Sequence, residues 1–187
     1  MKNYLARTKA MQLLAQYQLN ELSDEKRTSL LEDWWSIDED DPEFTKLPAN
    51  LQAEMTKYDS PIKPLSKKYD PLLLIALTDK LSRVKNTYIK SQVTKLGIKI
   101  DEIKGSPIVS YKCPCCHYKS LPARGEFFIC PVCFWEDDGS DNLEHYSGPN
   151  HMTLREAQEN FLRFGACSED AINFIEIDAT EKYAKNK

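Results

Sequence analysis

Two pairs of cysteines, in Cys113-Pro114-Cys115-Cys116 and Cys130-Pro131-Val132-Cys133, repeat the spacing C-x2-C with thirteen residues between the pairs. A C-x2-C turn brings two sulfurs to one side of the chain, where both reach a single ion at about 2.3 Å. Two such turns complete a tetrahedron. Cys113, Cys116, Cys130 and Cys133 are therefore the expected ligands of one metal ion, with zinc the expected occupant. Four thiolates leave no open coordination position, so the ion is expected to stabilise the fold and not to catalyse.

Rival chemistries use the same residues. Tetrahedral sulfur also suits iron, and C-P-x-C turns occur in one-iron, rubredoxin-like sites; iron is the less favoured occupant. A lone C-x2-C at a helix N-terminus is a redox dithiol in thioredoxin-type proteins, but here the motif is paired. Disulfides would be expected of a small secreted chain, and Met1-Lys2-Asn3-Tyr4 opens no signal-peptide core. Cys115 is expected to point away from the ion as a spectator, with a replacement ligand or redox-sensitive thiol as the alternative. His117 and His145 are spare nitrogen donors, and Cys167 is expected to pack as a small hydrophobe. Trp135 is expected to cover the metal, followed by a solvated acidic loop, Glu136-Asp137-Asp138.

The elements that must position these residues follow from turn chemistry and periodicity. Ile108–Tyr111 is expected to be the strand entering the first turn. Pro122–Gly125 is a turn, and Glu126–Ile129 is a strand returning to the second pair, as in a zinc ribbon. Thr153-Leu154-Arg155-Glu156 is a capping box that starts a helix ending at Gly165, whose apolar face is expected to pack on the ribbon. Ala171–Ile177 is expected to be a last strand, with a frayed tail at 182–185.

Upstream the pattern is helical. Leu5, Ala6, Met11, Leu13, Leu14 and Tyr17 recur at helical spacing as far as Asn20. Ser23 is an N-cap for a helix through Trp34-Trp35, of which at least one tryptophan should be core. A short helix is expected over Pro48–Tyr58. Asp70 is expected as N-cap and Pro71 as first helical residue of a helix to Leu81, with another from Thr87 to Leu96 and an edge strand over 98–103. The fold expected is α+β: a helical domain over 1–104, then a small zinc-ribbon-like β domain with a packed helix over 105–187.

Charge separates the halves. Residues 1–104 carry 17 basic and 16 acidic side chains; residues 105–187 carry 8 and 13, a net of −5. Phosphate backbones are bound by cations, so nucleic acid is a disfavoured partner of the cysteine half. The longest apolar run, Pro71–Leu77, is too short to span a bilayer. The expectation is a cytoplasmic protein.

The stretches CPCCHYKSLPARGEFFICPVCFWEDDG (113–139), GPNHMTLREAQENF (148–161) and FGACSE (164–169) resemble the bacterial cysteine-rich CPCC family. NELSDEKRTSLLEDWWSIDEDD and KYDPLLLIALTD resemble extensions that precede this domain in some members. The resemblance implies a zinc-ribbon-like domain with Cys113, Cys116, Cys130 and Cys133 as ligands, and no particular activity. Cys115, Trp135 and Asn150 belong to the motif without an assigned role. His117 stands where the family usually has glycine, at a point that often needs left-handed backbone.

Three functions follow. The first is a non-enzymatic protein-interaction module, in its sharper form an immunity- or antitoxin-like protein that masks a basic partner. The second is a nucleic-acid-associated or transcription-related zinc ribbon. The third is a thiol oxidoreductase or hydrolase, ranked last because the chain has no Ser-His-Asp order, phosphate loop or open metal site.

Overall fold

In the computed structural model, which describes residues 2–176 and 178–185, the chain is α+β and divides into two compact units. Met1–Ser82 with Ile89–Ser106 forms one; Arg83–Tyr88 with Pro107–Lys187 forms the other. No helix among the described residues is long and apolar enough to cross a membrane.

The first unit is a helical bundle closed by a small parallel ladder. Strand β1 (Tyr4–Ala6) precedes helix α1 (Arg7–Glu21), so Leu5 and Ala6 lie in a strand and not on the expected helix. Helices α2 (Asp24–Asp33), α3 (Ala49–Lys57), α4 (Asp70–Ser82) and α5 (Asn86–Lys95) follow, and β2 (Glu102–Lys104) pairs in parallel with β1. The Ser23 hydroxyl accepts the Lys26 amide 3.3 Å away and caps α2. Asp70, by contrast, is not a cap. It already has helical backbone, because a 3-10 turn over Lys67–Tyr69 with Ser66 at its head runs straight into α4. Its carboxylate instead takes Arg27 at 2.5 Å.

Helix α4 is the spine of this unit, with Leu72, Leu73 and Ala76 fully buried against Leu31, Leu51 and Trp35. Of the adjacent tryptophans, Trp35 is core and Trp34 is half-buried. The Arg7 guanidinium is buried too, and it donates to the carbonyls of Leu81 and Ser82 at 2.8 Å. It thereby satisfies acceptors that the end of α4 leaves open.

The second unit has little regular structure. Strands β3 (Tyr111–Lys112), β4 (Tyr118–Leu121) and β7 (Ala184–Lys185) form an antiparallel sheet in the order β3-β4-β7. Strands β5 (Tyr146–Ser147) and β6 (Met152–Thr153) form a two-residue ladder. Helix α6 (Leu154–Phe164) starts at the expected capping box and stops at Gly165, whose φ of 78° supplies the left-handed cap. Helix α7 (Ala179–Lys182) leads into β7.

Four expectations are corrected here. Of the strand expected over Ile108–Tyr111 only Tyr111 belongs to β3, which continues to Lys112. Glu126–Ile129 is not a regular strand; Ile129 bridges Glu136, the Phe127 amide donates to the Asp137 carbonyl at 3.0 Å and the Asp137 amide to the Phe128 carbonyl at 3.1 Å. Residues 170–174 form a 3-10 helix, Asp170–Phe174, where a strand was expected; Ile177 lies outside the described residues. The 182–185 segment is not frayed, because the edge of β4 is open and β7 completes it.

Candidate metal centre

Each cysteine pair sits in its own tight turn, not at the two ends of one shared hairpin. In the first, between β3 and β4, the Cys113 amide donates to the Tyr118 carbonyl at 2.9 Å and the His117 amide donates back to Cys113 at 3.0 Å. The second repeats the plan: the Cys130 amide donates to Trp135 and the Phe134 amide to Cys130, both at 2.8 Å. The residue four after the leading cysteine is left-handed in both turns, His117 at φ 66° and Phe134 at φ 67°. Glycine occupies such a conformation without steric cost, and here histidine and phenylalanine adopt it.

The turns face each other. Four sulfurs, of Cys113, Cys116, Cys130 and Cys133, lie within 4.8 Å of one another, and all four residues are buried. Cys113 is 3.6 Å from Cys133, and Cys116 is 3.6 Å from Cys130. A disulfide would need about 2.05 Å, and none of these cysteines is bonded. A tetrahedral ion with sulfur at about 2.3 Å has edges of about 3.8 Å. The four cysteines are thus positioned to bind a metal ion, and the donor set fits it.

Their protonation supports the same conclusion. Burial pushes the Cys113 and Cys133 thiols up. The hydrogen bond from Cys113 lowers Cys116, but those with Cys130 and Cys133, together with burial, outweigh it and raise the thiol. Burial opposes ionisation of Cys130 as well. There the hydrogen bonds from Cys113, Cys116, Cys133 and Ser120 win and hold it well below its ordinary value. Four thiolates buried side by side would repel one another, a cost that a bound cation would offset.

The surrounding shell comes from elements that linear spacing does not reveal. Ser120 on β4 places its hydroxyl 3.1 Å from the Cys130 sulfur. Helix α6 covers the first turn, where Gln158 donates to the Pro114 carbonyl at 2.9 Å and the Cys115 thiol donates to the Ala157 carbonyl at 3.3 Å. Cys115 is therefore outside the four-sulfur set and buried against α6, close enough to hydrogen-bond Cys133 and help raise its thiol. The Cys167 amide donates to the Cys133 carbonyl at 2.7 Å, and Asn160 holds the Cys167 carbonyl at 2.9 Å. Burial raises the Cys167 thiol to about 12, in keeping with a packed, unreactive group. Neither His117 nor His145 joins the set.

The loop after the second turn was expected to be acidic and solvated, yet Asp137 is completely buried. One carboxylate oxygen accepts from Arg124 Nε at 2.8 Å and from the Gly125 amide at 2.9 Å. Arg124 also reaches Asp141 at 3.0 Å. This clamp draws the 122–125 turn onto the second cysteine turn, so closely that a Cβ on Gly139 would lie 3.1 Å from the Gly125 Cα. Asn150 acquires a role as well. It accepts the Glu136 amide at 2.9 Å and donates to the Glu136 carbonyl at 2.7 Å, standing in for a strand neighbour. Trp135, next to Glu136 in sequence, is buried.

Residues 111–182 match the family model described as Cysteine-rich CPCC. The matched segment spans both cysteine turns, the Arg124–Asp137 clamp, Asn150 and α6. No curated protein and no solved structure matches the chain. Within the matched segment Cys115 packs against α6 and Asn150 serves backbone hydrogen bonding.

Proposed function

We propose that the CPCC segment is a zinc-held, non-enzymatic module through which the protein binds another protein, one with a basic surface. The observation that carries the metal reading is the four-sulfur set itself: buried, unbonded and spaced as a tetrahedral ion requires. Cys113, Cys116, Cys130 and Cys133 would hold zinc, which supplies cross-linking charge and no open position for substrate. Iron suits the same donors and is the second candidate occupant.

The binding reading rests on the surface. The 105–187 half carries a net charge of −5, to which four thiolates and a divalent ion add a further −2. The same segment exposes three consecutive large apolar residues, Phe127, Phe128 and Ile129, with Phe127 in left-handed backbone at φ 59°. A bulky residue in that conformation is strained, and an exposed apolar row flanked by Glu126 and Glu136 suits a partner that is apolar with basic edges. An immunity- or antitoxin-like masking protein is the sharper form of this reading.

A second reading, a nucleic-acid-associated module, has one observation in its favour. Lys112 and Lys119 face each other across β3 and β4, an unfavourable like-charge pair that phosphate would relieve.

Native mass spectrometry of the gently purified, reduced chain tests the first claim. One zinc per chain is expected, lost in Cys113→Ser and Cys133→Ser; a metal-free chain with oxidised cysteine pairs would overturn it. Affinity purification from the native host tests the second, with a saturable basic protein expected. Tight DNA or RNA binding whose affinity falls steeply with salt, abolished by Lys112→Glu with Lys119→Glu, would favour the alternative instead.

A further inference from the structure

The helical unit contains an open cavity of about 480 Å³ lined by Trp35, Ile37, Phe44, Met55, Tyr58 and the carboxylates Asp38, Glu39, Asp40 and Asp59. That volume falls within the range of pockets that enclose a small ligand or a single large side chain. Trp35, Phe44 and Met55 are core residues and form its interior; the four acidic residues are exposed and form its mouth. The interior is held rigid. Trp35 donates its indole N–H to the Tyr58 carbonyl at 2.8 Å and meets Tyr69 edge-on at 5.4 Å between centroids. The mouth is shaped by its own loop, in which the Asp40 amide donates to Asp38 and the Asp38 amide to Asp41. Among the described residues, the carboxylates of Glu39, Asp40 and Asp59 meet no cation.

An acidic run in solvent needs no ligand. An aromatic-lined cavity beneath it is a different matter, because the two features ask for one chemistry: an apolar stem or flat cation that slides along aromatic carbon and ends in positive charge at the rim. We propose that this pocket receives a lysine or arginine side chain projecting from the protein's basic partner. The proposal rests on the basic-partner reading above and adds where the partner's cation is seated. Arginine and aromatic residues dominate the energetics of such contacts, and a mouth of several exposed carboxylates favours a cationic group over a neutral one.

The test uses the full chain, ¹⁵N-labelled, titrated with an oligo-lysine peptide and with the same peptide fully acetylated on its side chains. The three tryptophans provide three indole N–H signals. The unmodified peptide is expected to shift the Trp35 indole and the backbone amides of Tyr58 and Asp59 while leaving Trp135 in place. A combined Asp38→Asn, Glu39→Gln, Asp59→Asn variant changes only exposed side chains and is expected to weaken binding by about tenfold. Equal binding of the acetylated peptide, shifts that map outside the cavity, or a variant that binds like the wild type would overturn the pocket while the basic-partner reading stands. Absence of binding at low ionic strength would overturn both.

Discussion

Replacing Asp137 by alanine should cost the CPCC segment about 3 kcal/mol. The buried carboxylate accepts one hydrogen bond from the Arg124 guanidinium and one from the Gly125 amide, at 2.8 and 2.9 Å. Each charge-assisted bond is worth about 1.5–3 kcal/mol, and breaking a buried pair by removing one partner costs about 3–5 kcal/mol. Two features reduce the total. Arg124 is still about a quarter exposed and keeps Asp141, so water and the second carboxylate recover part of its solvation. The other Asp137 oxygen is buried without a partner among the described residues, so its removal relieves a standing penalty. About 3 kcal/mol remains, equivalent to a drop in melting temperature of roughly 10–20 °C for a unit of this size. Urea unfolding under one fixed metal condition is the suitable assay, because urea does not screen the ion pair and a constant metal level keeps any linkage to binding unchanged. Arg124→Ala completes a double-mutant cycle, with an expected coupling of about 1.5 kcal/mol. A loss below about 1 kcal/mol for Asp137→Ala, or a coupling near zero, would refute the clamp as a source of stability.

Three further outcomes are expected. Gly139→Ala should destabilise the CPCC segment by about 1–3 kcal/mol, since φ is 88° and the new Cβ meets the Gly125 backbone; a thermal melt unchanged within a degree would contradict this. Leu72→Ala, at a fully buried position of α4, should cost the helical unit about 2–5 kcal/mol in urea, and a loss under about 1 kcal/mol would mean that the core there collapses around the deletion. Glu156 is held below its ordinary 4.5 by hydrogen bonds from the Thr153 amide and hydroxyl. Its folded value being the lower one, the stability it adds is complete above about pH 4.5 and disappears as pH falls through the folded value. Stability measured from pH 6 to 3 should show this step, and Glu156→Gln should lack it.

The local chemistry of the chain was legible because it depends on near neighbours. C-x2-C spacing, the Ser23 cap, the Thr153–Glu156 box and the glycine after α6 each act within four residues, and each stands where the sequence places it. Asp70 is misjudged for a related reason: Ser66 caps a 3-10 turn just upstream, and the earlier signal wins the helix start.

Sequence alone determined the α+β class and the four cysteines that cluster, because hydrophobic period and ligand spacing are properties of short segments. Tertiary structure alone decided how the sulfurs meet. Each pair closes its own turn, and the parts that hold the turns together lie far along the chain: Arg124 and Asp137 are 13 residues apart, Glu136 and Asn150 are 14, and Cys115 and Ala157 are 42. The same holds for β7, whose two residues form a strand only because β4 has an open edge. A buried aspartate and a solvated one look alike in a run of Glu-Asp-Asp. The difference is the cost of burying charge, which is met only by a guanidinium and an amide that folding brings to the spot.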